Sequence, residues 1–170
     1  MDQQTTLRGI PSRRHGERPG FADDRPPCER FDWPLQIERG WLDAAPNDET
    51  ANGTALGAPP DHAITLALKP AADAMLPTPP SRAPKSADTN SGYVSFNIPV
   101  AGTWQVTISG EGWLDAVVDG ASVPASAHTG NRECATVRKS LRFILPIGKV
   151  ILEISNASAP ATRLAIRRIE

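Results

Sequence analysis

Five side chains supply the soft donors that metal or nucleophilic chemistry needs: His15, His62, His128, Cys28 and Cys134. A structural zinc site takes four such ligands, and a catalytic one takes three plus water. His128 and Cys134 fall in one polar stretch, but two ligands do not make a site. A facial iron centre needs two histidines and a carboxylate on one face. Only His62 and His128 are placed to serve, with an unassigned carboxylate, and no H-x-H…E pattern occurs. No metal and no cofactor are expected. Nucleophilic catalysis has no better footing. There is no G-x-S-x-G elbow, and neither cysteine sits in a catalytic context. Asp115 and Asp119 share one strand, yet Asp119 has a turn to make and Asp115 reads as a polar outward position. No glycine-rich phosphate loop follows a strand and opens a helix. No residue is therefore assigned to catalysis. Asn52-Gly53-Thr54 and Asn156-Ala157-Ser158 match the glycosylation sequon, which matters only in a eukaryotic secretory pathway.

Binding chemistry is better represented. Trp113 follows the Gly110–Gly112 turn, and an indole face with polar neighbours such as Asp115 suits a sugar ring. A polar loop over 125–139 carries His128, Asn131, Arg132, Arg138 and Lys139. Its donors suit an anionic ligand or a partner's carboxylate, and long polar loops on β scaffolds often carry function. The plain alternative packs Trp113 in the core with Trp104 and leaves the loop charges solvated. The candidate binding set is Trp113, Asp115, His128, Arg132, Arg138 and Lys139.

These residues must be positioned by a small fold. The chain has 170 residues, 17 Pro, 13 Gly, 39% hydrophobic and 5% aromatic residues. That length suits one domain plus extensions. The Pro and Gly content suits short strands joined by turns. A net charge of −1 disfavours nucleic acid as a partner. No apolar run approaches the roughly 20 residues of a membrane-spanning helix. The opening residues contain no continuous apolar core of a secretory leader. Either the protein is cytoplasmic, or the numbering starts downstream of a leader.

Residues 1–27 read as a disordered tail. Glu17, Asp23 and Asp24 dilute its arginines, so a solvated tail is expected over a basic arm. Residues 32–45 read as one short helix, with Pro34 at its first position and Leu35, Ile37, Trp41 and Leu42 covering one side. Trp33 and Trp41 would dock it. Residues 46–61 read as loop. From His62 the period becomes two. Ile64, Leu66 and Leu68 alternate first, and a Pro-rich connector over 70–91 then runs extended across the surface. Val94, Phe96 and Ile98 follow, then Trp104, Val106 and Ile108, then the strand from Trp113 to Asp119. Asp119-Gly120 predicts a type I′ hairpin turn. Leu141, Phe143 and Leu145, then Val150, Leu152 and Ile154, then Leu164 and Ile166 complete seven strands. This is the signature of an antiparallel β-sandwich.

The stretch YVSFNIPVAGTWQVTISGEGWLDAVVDG, followed by FILPIGKVILEIS, is similar to the outline of jelly-roll carbohydrate-binding modules and of protective-antigen-like sugar-binding modules. A wider resemblance covers most of the chain. It rests on Cys28 ahead of FDWPLQIERGWL, on LPTPPSRAPK, on WLDAVVDG and on AHTGNRECATVRKSLRF. In these the chain resembles a family of small exported proteins of alphaproteobacteria, to which no activity attaches and whose leader would precede the helix. By themselves Cys28 and Cys134 are compatible with one disulfide or with two free thiols. The resemblance to exported proteins implies the disulfide.

The expectation is thus an all-β, jelly-roll-like antiparallel sandwich over 62–170, with one short helix and its connector, 28–61, docked upon it. The expected function is non-enzymatic: a periplasmic or secreted accessory protein binding a saccharide or an envelope protein. A cytoplasmic location is the alternative compartment. A metal-dependent, non-haem iron oxygenase on a jelly roll is the alternative activity, and a structural subunit of a larger complex is the third class.

Overall fold

The computed structural model describes residues 22–170. Most of the expected tail, and His15 with it, lies outside the described residues. A single 3₁₀ turn at Pro27–Glu29 precedes helix α1, Gln36–Asp43. The strands are β1 Glu49–Thr50, β2 Ile64–Ala67, β3 Lys69–Pro70, β4 Asn90–Ile98, β5 Gly102–Ile108, β6 Trp113–Val118, β7 Ala121–Val123, β8 Ala127–Gly130, β9 Lys139–Leu145, β10 Gly148–Ala157 and β11 Ala161–Arg168. They form a six-stranded sheet ordered β1-β2-β11-β5-β9-β8 and a five-stranded sheet ordered β3-β4-β10-β6-β7.

The protein is an all-β sandwich with jelly-roll winding. Four antiparallel pairs, β2–β11, β4–β10, β5–β9 and β6–β7, are successive rungs of one long hairpin wrapped into two sheets. The alternating residues drive this. Val94, Phe96, Ile98, Val106, Ile108, Phe143, Leu152, Ile154, Leu164 and Ile166 are all buried between the sheets. Each such side chain contributes about 1.5–3 kcal/mol on leaving water. The turn at Asp119-Gly120 has both residues at positive φ, 51° and 77°, as a type I′ hairpin requires.

Each sheet is also covered on its outer face, and here several expectations need correction. Helix α1 begins at Gln36, not ahead of Pro34. Leu35 takes the cap position at φ −128°, outside the helical region, and the chain turns helical only after it. The buried face of α1 is Leu35, Glu38 and Leu42, whereas Ile37 is exposed. Those three lie at i, i+3 and i+7, one stripe of a 3.6-residue period. Leu35 and Leu42 pack with Phe31, Ala63, Val137 and Ala165 into a second core on the six-stranded sheet, with Trp33 and Trp41 against its edge. Glu38 is admitted because Arg167 Nε (2.7 Å) and Gln105 Nε2 (2.8 Å) both donate to its Oε1. Arg142 donates to Gln105 Oε1 and lies 4.1 Å from the Trp33 ring centroid. Cys28 and Cys134 are bonded to each other, 106 residues apart in sequence, which anchors the segment before α1 to the β8–β9 connection.

The connector over 70–91 is not a free surface excursion. Pro70 closes β3, and Asn90 opens β4. Between them the chain crosses the outer face of the five-stranded sheet. Thr78 N–H donates to Glu153 and Ser81 N–H to Asp115, each at 2.9 Å, and Lys85 N–H donates to Asn156 at 2.8 Å. Residues 46–61 are likewise more than loop. β1 pairs in parallel with β2, and Ala55 bridges Ser95 of the opposite sheet. Asn52 of the first sequon is tied to Tyr93 N–H and the Ala74 carbonyl. The expected loop over 125–139 contains β8, an edge strand in register with β9. Alternation over four residues next to a disulfide-tied loop is too short a signal to read as a strand.

Candidate functional site

The sandwich does not close at the edge where β7 and β8 face each other. Between β6–β7 of one sheet and β8–β9 of the other lies a cleft of about 530 Å³. Its inner wall follows from strand parity. Phe143, Leu141 and Lys139 occupy one face of β9 at successive i, i+2 positions. Phe143 is buried, Leu141 half-buried, and Lys139 reaches the rim. His128 stands opposite Leu141 in the β8–β9 register and shares this face. Across the gap are Leu114 and, from β7, Val123, which is paired with Ala116.

The rim is polar and cationic. Lys139 Nζ donates to the Gly112 carbonyl at 2.5 Å, reaching from one sheet to the other. Burial, with Arg138 and Arg82 adding like charge, holds its pKa below the usual lysine value. The Trp113 ring has Lys139 Nζ 5.9 Å and the Arg82 guanidinium 5.1 Å from its centroid. Its indole N–H donates to Ser81 Oγ at 2.7 Å and to Asp115 at 3.2 Å, and Ser81 Oγ also donates to Asp115. Beyond Trp113 a smaller hollow of about 160 Å³ is lined by Arg82, Lys85, Glu111 and Arg132, and it shares Trp113, Arg138 and Lys139 with the cleft. Glu111 lies 3.6 Å from Arg138 and 3.9 Å from Arg132. Among the described residues, no carboxylate is within ion-pair distance of Arg82, Lys85 or Lys139.

Five of the six sequence-predicted binding residues, Trp113, Asp115, His128, Arg138 and Lys139, thus meet at one cleft, and Arg132 joins them in the adjoining hollow. Their roles differ from those expected. Trp113 does not pack beside Trp104 in the inter-sheet core; it is half-exposed at the rim. Asp115 keeps the outward face of β6 but is not solvated there, and it is not paired with Asp119. Its carboxylate is buried beneath the connector and holds the Trp113 indole in place, while Asp119 is exposed in the hairpin turn. Sequence reading missed Arg82 and Ser81, which sit in the Pro-rich connector. Only the connector's path brings them to the site, and no local pattern announces that path.

The residues of the alternative iron centre are separated. His62 precedes β2 and His128 lies on β8, four strand spacings apart in the same sheet, roughly 19 Å at about 4.8 Å per strand. Cys134 is committed to its disulfide.

No family model and no curated protein matches the chain. Among solved structures it is similar to the pre-peptidase C-terminal domain of a collagenase from Bacillus anthracis. That likeness has 14% identity and a TM-score of 0.40, and covers 72% of this chain and 99% of that one. At that level it carries no functional argument.

Proposed function

We propose that the protein is a non-catalytic binding module, exported from the cytoplasm, whose ligand presents an anionic group to Arg138 and Lys139 at the β6–β9 cleft. One observation carries this reading: a half-buried lysine without a carboxylate partner stands beside Arg138 and Arg82 at the mouth of a cleft with an indole on its rim. Like charges gathered at partial burial raise each other's free energy, and a bound anion removes that cost. A neutral sugar stacked on Trp113 has less support, because Arg82 and Lys139 already approach the ring. The expected saccharide enters this reading in acidic form, and an envelope partner enters by an acidic segment. Export is supported by the Cys28–Cys134 bond, of the kind that persists in oxidising compartments.

Calorimetric titration with paired acidic and neutral ligands tests the site. Binding confined to acidic members, and weakened in Arg138→Gln, is the expected result. Equal binding of neutral counterparts, or an unchanged Arg138→Gln variant, refutes it. For the compartment, protein taken from its native host should show no titratable thiol; two thiols would remove the argument for export.

A further inference from the structure

The cleft and the hollow beside it are chemically opposite, and they share one wall. Along β9 a single face passes from Phe143 through Leu141 to Lys139, so an apolar ladder ends in a cation with no break in register. Leu114 and Val123 supply the facing apolar surface. On the far side of Trp113, the guanidinium of Arg82 and the ammonium of Lys85 extend the cationic end. A cleft of about 530 Å³ is within the range that holds small ligands. A sugar would leave its hydroxyls unpaired against Leu114, Val123, Leu141 and Phe143, and unpaired buried polar groups are costly. A bare small anion would leave that apolar surface unfilled.

We infer that the ligand is an amphiphile, a single alkyl or acyl chain ending in an anionic group. The chain lies between Leu141 and Phe143 on one sheet and Leu114 and Val123 on the other, and the head sits on Lys139, Arg138 and Arg82. This rests on the anion-binding reading above and adds the apolar half of the ligand. The head group is a carboxylate or a phosphate, since both are met by the same cations.

The test is titration of the full chain, below the micelle-forming concentration, with laurate, dodecyl phosphate, dodecanol, acetate, inorganic phosphate and an oligogalacturonate. Laurate or dodecyl phosphate should bind one per chain, and the stronger of the two identifies the head group. Dodecanol should bind on the order of tenfold more weakly or less, and acetate and inorganic phosphate should not register. Lys139→Met should weaken the amphiphile on the order of tenfold. Val123→Thr, which keeps the side-chain shape and adds no charge at a half-exposed position of the edge strand β7, should also weaken it, through the apolar wall. Dodecanol binding as tightly as laurate, or Lys139→Met leaving both unchanged, overturns the assignment of the head. Oligogalacturonate binding that is lost in Lys139→Met, with no amphiphile bound, overturns the amphiphile and leaves the anion site standing. Failure of every acidic probe overturns both.

Discussion

Asp115 and Glu153 stand directly opposite each other on β6 and β10, two buried carboxylates roofed by the connector. Like charges directly across a ladder are destabilising, and each of these is compensated differently. Asp115 accepts from Ser81 and from the Trp113 indole. Glu153 accepts only Thr78 N–H at its Oε1, and its Oε2 is buried without a partner. Burial therefore raises the Glu153 pKa, and Asp115 adds to the effect against the Thr78 hydrogen bond.

A pH dependence follows, with a definite sign. A carboxyl whose folded pKa is raised binds more protons in the native state than in the unfolded chain. Stability therefore falls as pH rises from the usual glutamate value through the raised one. Urea melts at a series of pH values should show this decline in the wild type and its loss in Glu153→Gln. The variant keeps the Oε1 acceptor for Thr78 and should be at least as stable as the wild type above that window. A variant markedly less stable at neutral pH would show that the ionised carboxylate is needed.

The buried Glu38 is held on one oxygen only: Arg167 and Gln105 both donate to its Oε1, while its Oε2, like that of Glu153, is buried without a partner. Truncation by Glu38→Ala leaves a guanidinium and an amide facing each other under the helix, at a cost of about 3–5 kcal/mol. Glu38→Gln, which keeps the acceptor oxygen, should cost clearly less. Denaturant midpoints of the two variants check the order, and equal midpoints would assign the loss to the missing charge, since Gln keeps both the packing and the acceptor.

Much of this scaffold was legible in the sequence because side-chain alternation is a local property. Ile64 and Leu66, Trp104 to Ile108, and Val150 to Ile154 declare their buried faces within one strand, and Asp119-Gly120 declares its own turn. The outer layers were not legible on the same terms. The buried stripe of α1 includes Glu38 in place of Ile37, because a charged side chain with two donors waiting on β5 and β11 is cheaper to bury than the pattern allows. Likewise, the site was half visible. Trp113, Arg138 and Lys139 stood out as an aromatic beside cations, whereas Arg82 and Ser81 reach them only through a connector held by Asp115 and Glu153, contacts of long sequence separation.

Reduction of the Cys28–Cys134 bond should lower stability. The bond closes a loop spanning 106 residues, worth about 4–5 kcal/mol in the chain-entropy model. Paired denaturant melts with and without dithiothreitol measure the difference. The inter-sheet core does not include either cysteine, so the reduced protein should retain its sheet signal in circular dichroism. Loss of that signal in the absence of denaturant would mean that the helix-side core is required for the sandwich itself.

The hairpin at Asp119-Gly120 isolates a backbone effect. A Cβ at Gly120 would meet no atom within 4 Å, but its φ of 77° lies in the left-handed region. Any cost of Gly120→Ala is therefore conformational, about 1–2 kcal/mol, with no steric part. Asp119→Asn, at φ 51°, keeps a residue suited to the first position of this turn and should be close to neutral. β7 has three residues and forms one wall of the cleft, so slippage of this turn would move Val123 along Ala116. Gly120→Ala should then weaken ligand binding as well as stability, while Asp119→Asn changes neither. Calorimetry and thermal melts on the two variants decide the matter. A destabilised Gly120→Ala that binds with wild-type affinity would separate the hairpin from the site.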